Sequence, residues 1–242
     1  MKKVILPLAL LAGIVGTAHA QTEVIVVHDN AGTGTGTGIK YGVKGGYNLA
    51  TYSGTDSRSS EYKSGFTAGL YANFGIADNF SIQPEVLFSQ KGASIDNFQG
   101  LPTTRFKTTL SYIDVPVLFR VNTGEDGKGL FFELGPQGSF LVRNRDFTQT
   151  GNTSTQSTDN TSTADLNKVA IAYVGGIGYQ ITSGLSLGLR YTGDFSQVYK
   201  QGASQFYNTS YYTRSGTTGS GMNPNVHNSV FQVQASYAFG GE

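Results

Sequence analysis

The sequence predicts an all-β protein, namely an eight-stranded antiparallel up-and-down transmembrane β-barrel. Segments of about ten residues alternate apolar and polar side chains along most of the chain. The connections between these segments are alternately long and short, and no amphipathic helix is available to cover the apolar faces. A strand face that no other layer of the protein covers is expected to contact lipid.

The alternation is clearest in the stretch FSIQPEVLFSQKG, residues 80–92. Apolar residues and a proline form one face of this strand, and the opposite face is largely polar: Phe80, Ile82, Pro84, Val86 and Phe88 against Ser81, Gln83, Glu85, Leu87 and Ser89. The other seven predicted strands cover residues 40–49, 65–74, 112–121, 130–140, 169–180, 185–195 and 231–239.

The lengths of the connections distinguish the two ends of the predicted barrel. Long connections cover residues 51–63, 91–104, 143–167 and 196–225, and short ones cover 76–79, 122–128 and 182–184. This alternation is typical of outer-membrane barrels, which have short periplasmic turns and longer extracellular loops. It places both termini in the periplasm. The competing architecture is a soluble lipocalin-like barrel with its apolar face inward, but a face of Gly, Ser, Gln, Glu and Arg better suits a polar lumen.

Composition and the N-terminus indicate the compartment. The chain has 242 residues, no Cys and a formal net charge of +1, which gives no electrostatic indication of nucleic-acid binding and excludes disulfides and Cys-based sites. Residues 1–20 are predicted to be a signal peptide, because two lysines precede an apolar run that ends in small residues. Residues 21–38, with their GTGTGTG run, are predicted to be a flexible periplasmic segment before the barrel of residues 39–242. The expected location is therefore the outer membrane of a Gram-negative bacterium.

Several of these strands resemble the porin-family or PorT-type outer-membrane β-barrel proteins common in Bacteroidetes. The segments that carry the resemblance are YGVKGGYNLA, SGFTAGLYANFGIADNFSIQPEVLFSQKG, YIDVPVLFRV, LFFELGPQGSFLV and GLSLGLRYTGDFSQV. The C-terminal FQVQASYAFGGE, with Tyr237 and Phe239, is similar to the signal that the barrel assembly machinery reads. The resemblance implies a barrel of OmpA or OmpX size whose partners are outer-membrane lipid, lipopolysaccharide and, during biogenesis, that machinery.

Seven charged residues are predicted to face the lumen: Lys44, Glu85, Asp114, Arg120, Glu133, Arg190 and Asp194. An eight-stranded barrel has room inside only for its own side chains, so these charges are expected to pair. Arg190 is expected to meet Glu85 or Asp114, and Arg120 and Glu133 are expected to be diagonal neighbours. The near balance of charge favours a salt-bridged plug over the alternative, a narrow pore for small solutes.

The sequence favours a non-enzymatic protein. His227 and Ser229 lie on one face of the last predicted strand, so a Ser–His pair of a lipid-modifying enzyme is conceivable. However, no carboxylate that would orient the histidine is identifiable. No cofactor or metal is expected, because no cluster of His and acidic residues has ligand spacing.

The last long connection contains the candidate residues for recognition of an extracellular ligand. Aromatic side chains are mixed there with Ser, Asn and Gly, as is typical of recognition loops: Tyr199, Phe206, Tyr207, Tyr211 and Tyr212. The alternative is aromatic packing that closes the top of the barrel or contacts lipid headgroups. The predicted function is thus envelope structure or surface interaction, with a pore or a lipid-modifying enzyme as alternatives.

Overall fold

A computed structural model describes residues 38–55, 57, 60–96, 104–124, 128–150, 163–201 and 225–239. The predicted signal peptide, residues 21–37 and four of the five candidate recognition aromatics (Phe206, Tyr207, Tyr211 and Tyr212) lie outside these ranges. The described residues contain no helix that is long and apolar enough to cross a membrane.

The described part of the chain consists of β-strands and their connections. In chain order the strands are β1 (Ile39–Ser53), β2 (Ser60–Glu61), β3 (Lys63–Ala77), β4 (Phe80–Asp96), β5 (Thr104–Asn122), β6 (Gly129–Thr150), β7 (Val169–Gln180), β8 (Leu185–Asp194) and β9 (His227–Phe239). Eight of them are long, which confirms the predicted number, and β2 is a two-residue strand that pairs with the end of β4.

The eight long strands form a closed antiparallel barrel. Their order around the barrel is β1, β3, β4, β5, β6, β7, β8, β9, and β9 pairs with β1 to close the ring. Closure gives every long strand two neighbours. No strand edge therefore exposes unpaired backbone N–H and C=O groups to lipid, which could not hydrogen-bond them. The predicted up-and-down barrel is confirmed.

The two faces of the barrel have opposite character. Large apolar side chains point outward and are exposed, for example Leu70, Leu134 and Val233 at 63%, 64% and 57%. The inward positions on the same strands hold buried polar and charged residues. This arrangement is the inverse of a lipocalin, and it provides the apolar outer band that a membrane barrel needs.

Three strands extend further towards the long connections than the sequence predicts. β4 continues to Asp96, β5 begins at Thr104 and β6 continues to Thr150, and these ends pair with one another. The apolar-polar alternation stops where the strands leave the membrane, because both faces there are rich in polar residues. The alternation of apolar and polar residues therefore cannot locate the ends of these three strands.

A β-bulge lies in the upper part of β6. Ser111 pairs with Arg143 and the next residue, Tyr112, pairs with Leu141, so Val142 is an extra residue on β6. Leu141 packs towards the lumen, whereas Val142 and Arg143 are both exposed. The bulge therefore reverses the inward and outward positions in the rest of the strand.

Candidate functional site

The middle of the lumen holds four charged side chains that we call the ion layer: Lys44, Glu85, Glu133 and Arg190. Glu85 accepts from Lys44 Nζ at 2.5 Å and from Arg190 Nη1 and Nη2 at 2.8 and 3.0 Å. Arg190 Nε donates to Glu133 at 2.7 Å. The four side chains thus form one continuous chain of ion pairs.

The strands that carry the ion layer are spaced evenly around the barrel. β4 and β8 are four strands apart in the ring of eight, and so are β1 and β6, so each pair lies on opposite walls. The residue between Glu133 and Arg190 in the strand register is a glycine: a Cβ built at Gly176 would lie 2.8 Å from Glu133 Oε1. Glycine on β7 therefore leaves space for the carboxylate of the neighbouring strand.

A second buried ion pair lies between the ion layer and the end of the barrel that carries the long connections, which is the predicted extracellular end. Lys91 Nζ donates to Asp114 Oδ1 at 3.0 Å and to Ser139 Oγ at 3.1 Å, and it lies 4.8 Å from the centre of the Tyr112 ring. Lys91 was not among the predicted lumen residues, because the strand was expected to end there. The sequence nevertheless contains a signal that Lys91 faces the lumen, since Lys91 continues the inward alternation of Glu85.

Arg120, near the periplasmic end, forms no ion pair among the described residues. Its guanidinium donates to the side-chain oxygens of Asn122, Gln83 and Gln180 at 3.1, 3.4 and 2.7 Å, and it lies over the Phe131 ring at 3.7 Å. Glu133 is directly opposite Arg120 in the strand register, and not diagonal as expected. The carboxylate of Glu133 bonds Arg190 instead.

Two aromatic rings fill the periplasmic end of the lumen. A Cβ built at Gly42 would lie 2.4 Å from Tyr71 Cζ, and one built at Gly178 would lie 2.2 Å from Phe131 Cζ. Each ring therefore lies directly against the backbone of a glycine on another strand. Both rings are buried, so they obstruct this end of the barrel.

The extracellular end of the lumen is covered by an apolar cluster, the apolar cap. Its residues come from the strand ends and from the connections before β7 and β9: Tyr52, Ala93, Leu110, Tyr112, Leu166, Val198, Tyr199 and Val226. Asn167 Nδ2 donates to the carbonyls of Gln197 and Tyr199 at 2.8 and 3.1 Å, which joins the two connections.

Two predicted site residues lie next to this cap. Tyr199 is 3% exposed and packs edge-on against Tyr52, so its side chain belongs to the closure of the barrel top rather than to an accessible surface. Asp194 Oδ2 accepts from Asn228 Nδ2 at 2.9 Å, and its other oxygen has no hydrogen-bond partner among the described residues.

His227 and Ser229 do not hydrogen-bond each other. The ring nitrogens of His227 lie 3.1 Å from the Ser196 carbonyl and 3.1 Å from Asn225 Oδ1, whereas Ser229 Oγ lies 2.9 Å from the Tyr191 hydroxyl. The described residues also contain no group of three or more His, Cys, Asp and Glu side chains that could hold a metal ion.

Comparison with known proteins identifies a family. Residues 20–200 match the sequence model of the outer membrane protein beta-barrel domain. Among solved structures, the chain is similar to Neisserial surface protein A, with 14% identity, a TM-score of 0.45 and coverage of 84% of this chain and 99% of that one. It is also similar to Ail of Yersinia pestis (11% identity, TM-score 0.40, coverage 83% and 98%). OprG of Pseudomonas aeruginosa has 12% identity and a TM-score of 0.39, with coverage of 86% and 99%. No curated protein matches the chain.

Proposed function

The chain belongs to the family of outer membrane protein beta-barrel domains and is an outer-membrane protein, and from this premise we propose that it is a closed, non-conducting barrel. Its role is then structural or adhesive: the barrel anchors extracellular connections that stabilise the envelope or contact a partner. The motif resemblance described above favours a place among the PorT-type proteins of Bacteroidetes.

The observation that carries this proposal is the obstruction of the lumen at three successive levels. The rings of Tyr71 and Phe131 fill the periplasmic end, the ion layer crosses the middle, and the apolar cap covers the extracellular end. An ion that crossed would have to separate buried ion pairs in a low-dielectric interior and then pass an apolar cluster. Each of these steps is costly.

The surroundings of His227 and Ser229 support a non-enzymatic role. A nucleophilic serine needs a base within hydrogen-bond reach, and that base needs a third group to orient it. The His227 ring instead bonds a carbonyl and an amide oxygen, and Ser229 bonds a tyrosine hydroxyl.

Planar-bilayer recording of the refolded protein tests the proposal. We expect no steady channel from the wild-type barrel. Arg190→Ala removes the side chain that joins Glu85 to Glu133, but it should not open a steady channel, because the two aromatic rings and the apolar cap still obstruct the ends of the lumen. Lys128→Ala, at an exposed position beside a short turn, is the matched loss of a positive charge and should leave the bilayer silent. A steady channel from the wild-type barrel would refute the closed barrel.

A further inference from the structure

We propose that the wall formed by β3, β4, β5 and β6 is the part of the barrel that opens locally, and that the ion layer holds this wall closed. Three prolines interrupt the backbone pairing of these four strands: Pro84 on β4, Pro116 on β5 and Pro136 on β6. We call the interrupted positions the proline row. The inference concerns motion of the wall, so it holds or fails independently of whether the lumen conducts.

Each strand pairing within this wall has a gap that contains a proline. The pairing of β3 with β4 skips two residue pairs at Pro84, that of β4 with β5 skips two at Pro116, and that of β5 with β6 skips two at Pro136. In an antiparallel sheet, the two residues of a hydrogen-bonded pair exchange both of their N–H···O bonds, and proline has no N–H to donate. The prolines therefore account for all three gaps.

The three gaps adjoin one another across the wall. Glu85 follows Pro84 and lies opposite Pro116 in the strand register. Val117 follows Pro116 and lies opposite Pro136. The interruption is therefore continuous from β3 to β6. Proline is rare in central strands, because it removes a hydrogen bond between strands, and here it occurs in three adjacent ones.

The remaining strand pairings of the ring are uninterrupted in the part of the chain that the structure describes. β3 with β1, β1 with β9, β9 with β8, β8 with β7 and β7 with β6 are each paired residue by residue. The barrel thus has an interrupted wall, β3–β6, and a complete wall, which consists of β7, β8, β9 and β1. Segments with fewer stabilising contacts open more readily than the rest of a structure.

The ion layer joins the interrupted wall to the complete wall. Both of its carboxylates are on β4 and β6, and both of its cations are on β1 and β8. Arg190 holds Glu85 at 2.8 Å and Glu133 at 2.7 Å. Every ion pair of the layer therefore runs from one wall to the other, and Glu85 is itself a residue of the proline row.

Opening of the interrupted wall and release of the ion layer are thereby coupled. Separation of the strands at the proline row displaces Glu85 from Lys44 and Arg190, and loss of these ion pairs removes contacts that oppose the separation. Such coupling is reciprocal. Because β4, β5 and β6 continue beyond their pairing with the rest of the ring, the same motion also moves their outer ends.

The test is amide hydrogen exchange of the refolded barrel in detergent micelles, measured residue by residue by NMR. The amides of Ala72, Glu85 and Val117, which lie opposite the three prolines, should have protection factors about three- to tenfold lower than those of Ile177 and Val233 in the complete wall. Equal protection in the two walls would overturn the proposal.

Pro136→Val restores one missing N–H at an exposed, outward position. The new donor can bond the carbonyl of Val117, so exchange at Val117 should become about three- to tenfold slower. Leu134→Val is the matched control, because it changes an exposed outward side chain of the same strand and adds no donor. Unchanged exchange at Val117 in Pro136→Val would show that the prolines do not weaken the wall.

Arg190→Gln tests the part played by the ion layer. Exchange along the proline row should become at least about tenfold faster, since two buried ion pairs are lost, and exchange at Ile177 and Val233 should change much less. Equal acceleration in both walls would show that the ion layer stabilises the barrel as a whole and does not hold one wall closed. If this variant does not refold, Glu133→Gln replaces it, with the same selective acceleration expected.

Discussion

Arg190 on β8 forms a bidentate ion pair with Glu85 on β4, with Nη1–Oε2 and Nη2–Oε1 distances of 2.8 and 3.0 Å. The two strands lie on opposite walls, so this pair spans the lumen. Both side chains are at most 1% exposed. The pair therefore holds two walls of the barrel together and blocks the space between them.

Loss of the Glu85 carboxylate should destabilise the barrel strongly. Glu85→Gln leaves Lys44 and Arg190 buried with Glu133 as the only remaining carboxylate of the ion layer. Removal of one partner of a buried pair typically costs about 3–5 kcal/mol of unfolding free energy. Urea unfolding in lipid vesicles measures this cost. Glu61→Gln, at an exposed position, should change the unfolding free energy by less than about 0.5 kcal/mol. Equal stability of the two variants would contradict the role given to the ion layer.

Gly178→Ala should disturb the periplasmic end of the lumen. The added Cβ would lie 2.2 Å from Phe131 Cζ and 2.4 Å from the Leu187 carbonyl oxygen. Overpacking of this kind typically costs about 1–3 kcal/mol. Gly188→Ala is the matched control, since a Cβ there would lie at an ordinary 3.5 Å from the same ring atom. Thermal unfolding in detergent compares the two, and a cost at Gly188 as large as that at Gly178 would show that Phe131 is not closely packed against Gly178.

Deletion of Val142 tests the bulge. Without this residue Arg143 and Arg145 should turn towards the lumen, and Asn144 and Asp146 should turn outward. Transfer of two arginine side chains from the surface to the lumen is expected to lower stability by roughly 3–5 kcal/mol. Val142→Ala keeps the bulge and removes only an exposed side chain, so its effect should be much smaller. The gel mobility of heated and unheated samples reports the folded fraction, and normal folding of the deletion variant would argue against this function of the bulge.

The membrane-spanning part of the fold could be predicted from sequence, because lipid on one side and a polar lumen on the other impose a strict period of two. The same period places Glu85 and Arg190 inside, and it predicts that Arg190 pairs with Glu85 or Asp114. Lys91 continues the inward alternation of Glu85, but the outward positions of β4 beside it are no longer apolar, so the sequence predicts that a connection begins there. The bulge at Val142 left no recognisable sequence signal, and its effect on Arg143 required the strand register.

Strand pairing alone was also insufficient for Arg120. The register places it opposite Glu133, yet the carboxylate bonds Arg190, and neutral side-chain oxygens solvate Arg120. A choice between two competing arginines depends on three-dimensional distances that local sequence does not determine. For Tyr199, the sequence left recognition and closure of the barrel top as equal alternatives. Its burial against Tyr52 depends on how two connections fold over the barrel.

The most direct test of the closed lumen is thiol labelling of Ser139→Cys with a reagent that cannot cross membranes. The chain has no cysteine, so the introduced thiol would be unique, and Ser139 is fully buried beside Lys91, between the ion layer and the apolar cap. We expect no labelling of the folded barrel in detergent micelles, where both ends are accessible, during the time in which Ser183→Cys, in an exposed turn, reacts completely. After unfolding, both thiols should react. Labelling of Ser139→Cys in the folded barrel at the rate of Ser183→Cys would contradict a closed lumen.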